Sequence, residues 1–505
     1  MRRLLELNWN GKAEALSAAE KIPMRLLDFD ASLSYGDKNS RNMIIQGDNL
    51  EVLKSILPFY RGQVKCIYID PPYNTGAAFD HYKDNFPHSD WLSMMYPRLE
   101  LLREFLSDNG AIFISIDDNE QAYLKVICDE IFDRNNFVAN FSWRKRVSKS
   151  DVPHGISQDY EYILCYAKEN FQAGRTIERK YFLTEDFPGK EWRTGPLTTQ
   201  RTVTERPNSF FTMIDPKTGK EYPASKLRTW SITKDTFQKY YDAHKIIFPG
   251  DYDFLKISKP VMRYWKEDDM KKAGENFGIT AVSTHLPPEV GMSQDGTKEI
   301  TNLFDEKIFS FPKPSSLIQH LISISTLTDK NAIILDAFAG SGTTAHAVLN
   351  LNAQDGGNRK FILIESQDYC QTITAERVKK IGGSFNFYRL GENVFDSAGK
   401  INSAVTFDQL ANFVWFSETK IPYLEQTRSP LLGIHNGVAI YLLYNGILKD
   451  KTLTGGNVLT KKILSILPQY DGEKIIFGSA CRLDENFLHE NKITFRQIPK
   501  NLNFK

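Results

Sequence analysis

Val64-Lys65-Cys66-Ile67-Tyr68-Ile69-Asp70-Pro71-Pro72-Tyr73 decides how this chain folds. The first six residues form an apolar run of strand length, and the two prolines stop it abruptly. An acid and an aromatic are thereby delivered to the carboxyl end of a strand, where open α/β sheets bind their ligands. Neither proline carries an N–H, so the Pro71 carbonyl is left to accept a bond from outside the chain. A carboxylate, a backbone acceptor and a ring face within four residues suit a planar amine, such as the exocyclic nitrogen of a base. A strand-ending Asp-Pro turn would account for the same residues without a ligand. The rest of the chain favours the first reading.

Working outward, Asn42–Gln46 reads as a preceding strand, followed by Gly47-Asp48-Asn49 and a helix patterned by Leu50, Leu53, Ile56 and Leu57. Asp48 can face a ligand from that turn or simply cap the helix, since Asp is favoured there. Downstream, Trp91–Phe105 has helical periodicity and ends at Asn109-Gly110, Ala111–Ile116 is a second buried strand, and Leu124–Phe132 gives another helical face. Strands alternating with helices predict a parallel sheet. From about Phe141 the rhythm breaks into mixed basic, aromatic and strand-like residues, and 175–296 reads as an inserted α+β module with little periodicity.

Regularity returns at Lys313-Pro314 with a helix patterned by Leu317, Ile318, Leu321, Ile322 and Ile324. Ala332-Ile333-Ile334-Leu335-Asp336-Ala337-Phe338-Ala339-Gly340-Ser341-Gly342-Thr343-Thr344 then makes strand, tight glycine turn and helix start, the local geometry of a nucleotide-type cofactor site. The glycines permit close backbone approach, and the helix N-terminus offers unpaired N–H groups. Phe361–Glu365 is the next strand; its terminal acid suits ribose hydroxyls or the cap of a helix beginning near Tyr369. The cofactor-type turn lies some 260 residues after the Asp70 strand. One sheet is therefore written in two pieces with a module inserted between them.

Composition bounds the class. At 505 residues the chain exceeds one domain by the usual length prior, and 41% hydrophobic with 25% charged residues is ordinary for a soluble globular protein. No apolar run is long enough to span a bilayer, and acids and a lysine soon interrupt the N-terminal segment, so neither a membrane span nor a secretory leader is expected. Cys66, Cys128, Cys165, Cys370 and Cys481 are scattered, which fits a reducing cytoplasm; without C-x-x-C or H-E-x-x-H spacing no metal is expected. Between Phe141 and Lys272 there are 25 Lys+Arg against 18 Asp+Glu, an excess of +7 in a chain whose total is +1. That basic middle is a weak footprint of nucleic acid, and ordinary surface scatter also produces it.

Together these residues resemble the amino-methyltransferases that use S-adenosylmethionine, in the permuted order called the beta class. Asp70–Tyr73 resembles that group's catalytic motif, Asp336–Gly342 its methionine-binding motif, and Phe311-Pro312-Lys313-Pro314 the upstream motif that completes the cofactor pocket. The likeness narrows to the modification (Mod) subunits of Type III restriction–modification systems through Asp70–Gly76, Tyr160–Lys168, Gly340–Leu351, Asp355–Lys360, Tyr388–Gly391 and Tyr441–Gly446. It is weak from about 175 to 274, the family's variable target-recognition region.

The resemblance implies an α/β fold: a Rossmann-like methyltransferase sheet in permuted order, an inserted α+β target-recognition domain and a C-terminal accessory domain. The expected divisions are an N-terminal arm over 1–41, a catalytic half over 42–140, a recognition region over 141–300, a cofactor half over 301–386 and an accessory or interface domain over 387–505. It implies methyl transfer from S-adenosylmethionine to adenine N6 in double-stranded DNA, with the base flipped out of the helix. Asp70, Pro71, Pro72 and Tyr73 are the expected catalytic residues. Asp336, Phe338, Gly340 and Gly342 are expected at the methionine end of the cofactor, Glu365 at its ribose, Asp48 at its adenine and Lys313 in its pocket. In the family Asp at the first motif position leans to adenine and Ser to cytosine, so cytosine-N4 methylation is the nearest alternative. A catalytically idle DNA-specificity subunit is another. Mod subunits act as homodimers and bind a helicase–nuclease restriction subunit, and the same partners are expected here.

Overall fold

Nine strands make the central sheet: β1 (Arg25–Phe29), β2 (Met43–Gln46), β3 (Val64–Ile69), β4 (Leu106–Ile116), β5 (Phe137–Arg144), β6 (Tyr160–Ala167), β7 (Ile333–Asp336), β8 (Lys360–Glu365) and β9 (Asn386–Asn393). The computed structural model describes residues 6–76, 84–147, 155–395, 401–402, 404–423, 428–444, 448 and 456–498. Asn445 and Gly446, part of the C-terminal resemblance, lie outside the described residues.

The strand order is β1-β9-β2-β8-β7-β3-β4-β6-β5. From β9 to β4 all neighbours run parallel, and antiparallel strands close both edges. β7 therefore sits between β3 and β8 although it follows β3 by more than 260 residues in the chain. The sheet is doubly wound in permuted order, as the sequence predicts.

Both faces are buried because successive strand residues point to opposite sides. Ile67, Ile69, Ile112, Ile114, Leu335 and Ile364 pack with Leu53 and Ile56 of the helix Asn49–Tyr60 and with Trp91, Leu99 and Leu102 of the helix His88–Phe105. Cys66, Tyr68, Phe113, Ile334 and Leu363 face the other way, onto Leu317, Leu321 and Ile322 of the helix Ser315–Ser325 and Val348 of the helix Thr343–Asp355. Burying a Leu or Ile side chain is worth about 1.5–3 kcal/mol, so these two layers dominate what holds the strand ends in place.

Contacts separate Gly174–Ala281 as a unit of its own, with Met1–Ala173 and Val282–Lys505 together forming the other. The inserted unit is narrower than the expected recognition region of 141–300. Its neighbours β5 and β6 hydrogen-bond into the main sheet, β6 pairing with β4 from Ala111↔Ala167 to Ile116↔Tyr162. Within the unit, Trp192–Pro196, Ile246–Ile247 and Val261–Trp265 form a three-stranded antiparallel sheet over Leu197, Met213, Trp230, Phe248 and Met262. The Arg263 guanidinium is clasped by aromatic rings there, 4.5 Å from the Phe187 centroid and 4.6 Å from that of Trp192.

Two further differences concern the ends. The expected N-terminal arm contains a helix, Lys12–Lys21, but also the edge strand β1, which pairs with β9. β9 lies mostly within the expected accessory domain, yet it is a strand of the main sheet through its register with β2. Beyond it, the helix Phe407–Thr419 and the strands Leu431–His435, Val438–Leu442, Glu473–Gly478 and Ile493–Gln497 form a smaller layer. Leu410, Val414 and Phe477 of that layer share one core with Met24, Leu26 and Val394.

Candidate active site

The carboxyl ends of β3, β7 and β8 open into a cavity of about 930 Å³. Asp48, Asp70, Pro71, Pro72, Tyr73, Lys313, Asp336, Phe338, Gly340 and Glu365 all line it. Residues expected at two sites nearly three hundred positions apart in the chain thus share one wall-to-wall space. Gly342 is the exception. It caps the helix Thr343–Asp355 in the left-handed region (φ 82°) and lies against Thr374 instead of the cavity.

On the β3 side, the prolines turn the chain and Trp91 Nε1 donates to the Pro72 carbonyl at 2.8 Å. No hydrogen bond among the described residues reaches the Pro71 carbonyl. Asn74 adopts φ 60°, held by a bond from its own N–H to Asp84 (2.8 Å), by Nδ2 donating to Glu120 (2.8 Å) and by Oδ1 accepting from Phe86 N–H (2.7 Å). The segment after Tyr73 is therefore fixed by three side-chain bonds although it belongs to no regular element.

Both oxygens of Asp70 accept from Lys313 Nζ at 2.8 Å. The same ammonium lies 3.6 Å from Glu161 Oε2 and 4.9 Å from the centre of the Tyr73 ring. Tyr73 Oη donates to Glu161 Oε2 at 3.0 Å, and Lys145 Nζ stands 3.3 Å from Glu161 Oε1. Burial, with the charges of Asp70 and Glu161 beside it, holds the Tyr73 phenol well above its ordinary range. Two carboxylates and the Lys313 ammonium thus gather at one aromatic ring, with Lys145 paired to the far oxygen of Glu161.

On the β7 side, Asp336 is 2% exposed and accepts from Phe338 N–H (3.0 Å) and from the Thr344 hydroxyl. Burial pushes its carboxyl up to about 7, and the nearby charges of Asp70 and Glu365 act in the same direction. Gly340 takes φ 51° and donates its N–H to Glu365 Oε2 at 2.9 Å, while its carbonyl accepts from Thr374 Oγ1 at 2.6 Å. Glu365 Oε1 accepts from the N–H groups of Ser366 and Gln367 (2.8 and 3.1 Å), and burial raises this carboxyl too. Glu365 therefore braces the glycine turn with one oxygen and its own chain reversal with the other. Asp48 caps the helix Asn49–Tyr60 through the Leu50 and Glu51 N–H groups and accepts from Arg98 Nη2 at 3.0 Å, with its side chain half exposed at the cavity edge. The cap and the cavity position coexist.

Several functional partners were not legible as such. Glu161 lies on β6 within a stretch that the family resemblance covers, yet nothing local ties it to Tyr73. Arg377 is fully buried and donates to the Ser341 and Thr343 hydroxyls (2.9 and 2.8 Å) and to Glu299 (3.0 Å). Glu299 also accepts from Ser315 N–H, two residues after Lys313, so one guanidinium ties the glycine turn to the Lys313 loop. Burial pushes Arg377 down to about 10 against the pull of Glu299. The cost of burying such a pair is offset by hydrogen bonds to the remaining groups, which here engage both terminal nitrogens of Arg377 and leave its Nε without a bond among the described residues.

The family whose description is DNA methylase (N6_N4_Mtase) matches residues 64–376, from the start of β3 to the helix after β8. The chain is 33% identical over 405 residues to the Type III restriction-modification enzyme StyLTI Mod subunit of Salmonella typhimurium (strain LT2), across 71% of this chain and 58% of that relative. It is 32% identical over 429 residues to the EcoPI Mod subunit of Escherichia phage P1, across 72% of this chain and 63% of the relative. It is also 32% identical over 370 residues to the Type II methyltransferase M.KpnI of Klebsiella pneumoniae, across 66% of this chain and 82% of the relative. The chain thus spans about six-tenths of the length of these Mod subunits.

Proposed function

The chain belongs to the DNA methylase family that matches its residues 64–376, and from that premise we propose that it methylates the N6 amine of adenine in double-stranded DNA with S-adenosylmethionine. The observation that carries this reading is the single cavity shared by Asp70, Pro71 and Tyr73 on one wall and Asp336, Gly340 and Glu365 on another. A methyl donor and an amine acceptor need adjoining sites with no gap between them, and positioning of that kind lowers a barrier without further chemistry.

The residues present fit the cofactor. Asp336 and Glu365 are buried acids whose carboxyls are both raised, and the charges acting on Asp336 are those of two other acids, Asp70 and Glu365. A cationic ligand with several N–H and O–H donors relieves that excess, which suits the ammonium and ribose of S-adenosylmethionine. Phe338 and Phe309 add apolar wall, and Gly340 brings the backbone close without a Cβ. When bound, the cofactor supplies an electrophilic methyl group on a sulfonium.

The chain's own residues act on the base. The exocyclic amine of adenine is a poor nucleophile because its lone pair is delocalised into the ring. Hydrogen bonds from that amine to Asp70 and to the Pro71 carbonyl draw the nitrogen toward tetrahedral geometry and localise the lone pair for in-line attack. Tyr73 stacks on the base once it has left the duplex, which is the general route to a base atom shielded by the helix. Such stacking is worth about 1–3 kcal/mol per base. Asp at position 70 favours adenine over cytosine as the target, on the family pattern.

The unit Gly174–Ala281 is assigned to sequence recognition, since it folds as a unit of its own and its chain is inserted between β6 and β7. A homodimer and a restriction subunit are the partners that the Mod likeness supports. The test is Asp70→Ala. Methyl transfer is expected to fall by at least about a hundredfold, as for loss of a group that acts on the reacting nitrogen. Cofactor affinity by calorimetry is expected to stay within a few-fold. Comparable turnover by the variant would remove Asp70 from the chemistry.

A further inference from the structure

We propose that Lys313 is a resident occupant of the amine site, and that Glu161 is the second berth to which its ammonium moves when a target base arrives. The inference rests on the proposed function and assigns two positioning residues to it. Lys313 Nζ stands where a base amine must go: it donates to both oxygens of Asp70 at 2.8 Å and lies over the Tyr73 ring at 4.9 Å. An ammonium there satisfies the carboxylate and the ring face together, as an amine on a stacked base would. The two cannot hold Asp70 in this way at once.

Moving Lys313 off Asp70 separates a cation whose side chain is only 11% exposed from its carboxylate partner at 2.8 Å. Glu161 offers another carboxylate beside it. Its Oε2 is already 3.6 Å from Nζ, its side chain is equally buried, and it also accepts from Tyr73 Oη. A rotation of the lysine stem carries the charge from one carboxylate to the other, while Lys145 stays paired with Glu161 at 3.3 Å. Asp70 is thereby released as an acceptor without water entering. The arrangement also keeps the site closed to stray donors until a base competes for it, because the base must outbid a charge-assisted bond. No bond is made or broken in the exchange.

The experiment uses the full chain and duplex DNA with 2-aminopurine at the methylated position, whose fluorescence rises when the base leaves the stack. Glu161→Gln keeps an acceptor for Tyr73 but removes the second berth. Its fluorescence amplitude and kcat are expected to fall about tenfold, the scale of one charge-assisted hydrogen bond, while S-adenosylmethionine affinity by calorimetry is unchanged. Adding Lys313→Met removes the occupant and is expected to restore most of the fluorescence amplitude. Lys313→Met alone should match or exceed the parent amplitude, which keeps the test decisive if Glu161→Gln fails to bind cofactor. Parental fluorescence in Glu161→Gln, a loss that Lys313→Met does not restore, or a lower amplitude in Lys313→Met alone would each overturn the exchange. A parent that binds cofactor yet neither methylates DNA nor raises the fluorescence would instead overturn the proposed function, and the exchange with it.

Discussion

Asp336 is the residue at which burial and function pull in opposite directions. Its carboxyl is raised from 3.8 to about 7 by burial, so the folded protein holds a proton there that the unfolded chain releases. The sign follows from linkage: between about pH 4 and pH 7 the folded state binds more protons, and stability falls as pH rises through that window. Thermal denaturation of Asp336→Asn is expected to show a flatter decline than the parent between pH 5 and pH 7. Equal slopes would mean that the carboxyl is not raised. Saturating S-adenosylmethionine should flatten the parent's slope too, since a cationic ligand restores the ionised form.

The two glycines of the turn separate at the same scale. Both have positive φ, but a Cβ on Gly342 would meet Thr374 Cγ2 and O at 3.2 Å, whereas one on Gly340 would meet Phe309 at an ordinary 3.5 Å. Gly342→Ala is therefore expected to cost about 1–3 kcal/mol of stability, from backbone strain plus displacement of Thr374. Gly340→Asp should leave the protein folded and lose cofactor binding, because it adds a third acid beside Asp336 and Glu365. Calorimetry and melting curves on the two variants distinguish these fates, and equal melting losses would contradict them.

Among the elements, those that carry the site were the most legible in the sequence. β3, β7 and β8 are buried on both faces in a parallel sheet, so each is a near-continuous apolar run, interrupted by Lys65 in β3 and opened by Lys360 in β8, with an acid or a turn at its end. β1 and the β5–β6 hairpin lie at the sheet edges. Phe141 and Trp143 are buried while Ser142 and Arg144 are not, and that alternation with basic residues resembled inserted sequence more than sheet. The ion pair between Asp70 and Lys313 joins residues 243 positions apart, and no spacing rule reaches so far. Glu161 escaped for the same reason, since its partner Tyr73 is 88 positions away. Element boundaries also decide the recognition experiment. Exchanging Gly174–Ala281 for the matching segment of a relative preserves every strand of the main sheet, whereas exchanging 141–300 would remove β6 and part of β5. The shorter exchange is expected to change which sequence is methylated and to keep the chemistry; methylation retained at the old site would take recognition away from that unit.

At the scale of the whole molecule, the layer after β9 carries none of the methyltransferase motifs. Its helix Phe407–Thr419 shares a core with Met24, Leu26 and Val394, which makes it a brace for the β1–β9 edge. The Mod likeness adds the expectation of a dimer. Light scattering on the full chain should report twice the 57.9 kDa protomer mass. A monomer that methylates at normal rates would remove the dimer from the account.

The central claim is that one cavity brings a methyl donor to an adenine amine. Its most direct test is transfer of a radiolabelled methyl group from S-adenosylmethionine to unmethylated DNA, followed by digestion to nucleosides and separation. The account predicts label in N6-methyldeoxyadenosine, absent with Asp70→Ala. Label in N4-methyldeoxycytidine, or none in a folded protein that binds the cofactor, would contradict it.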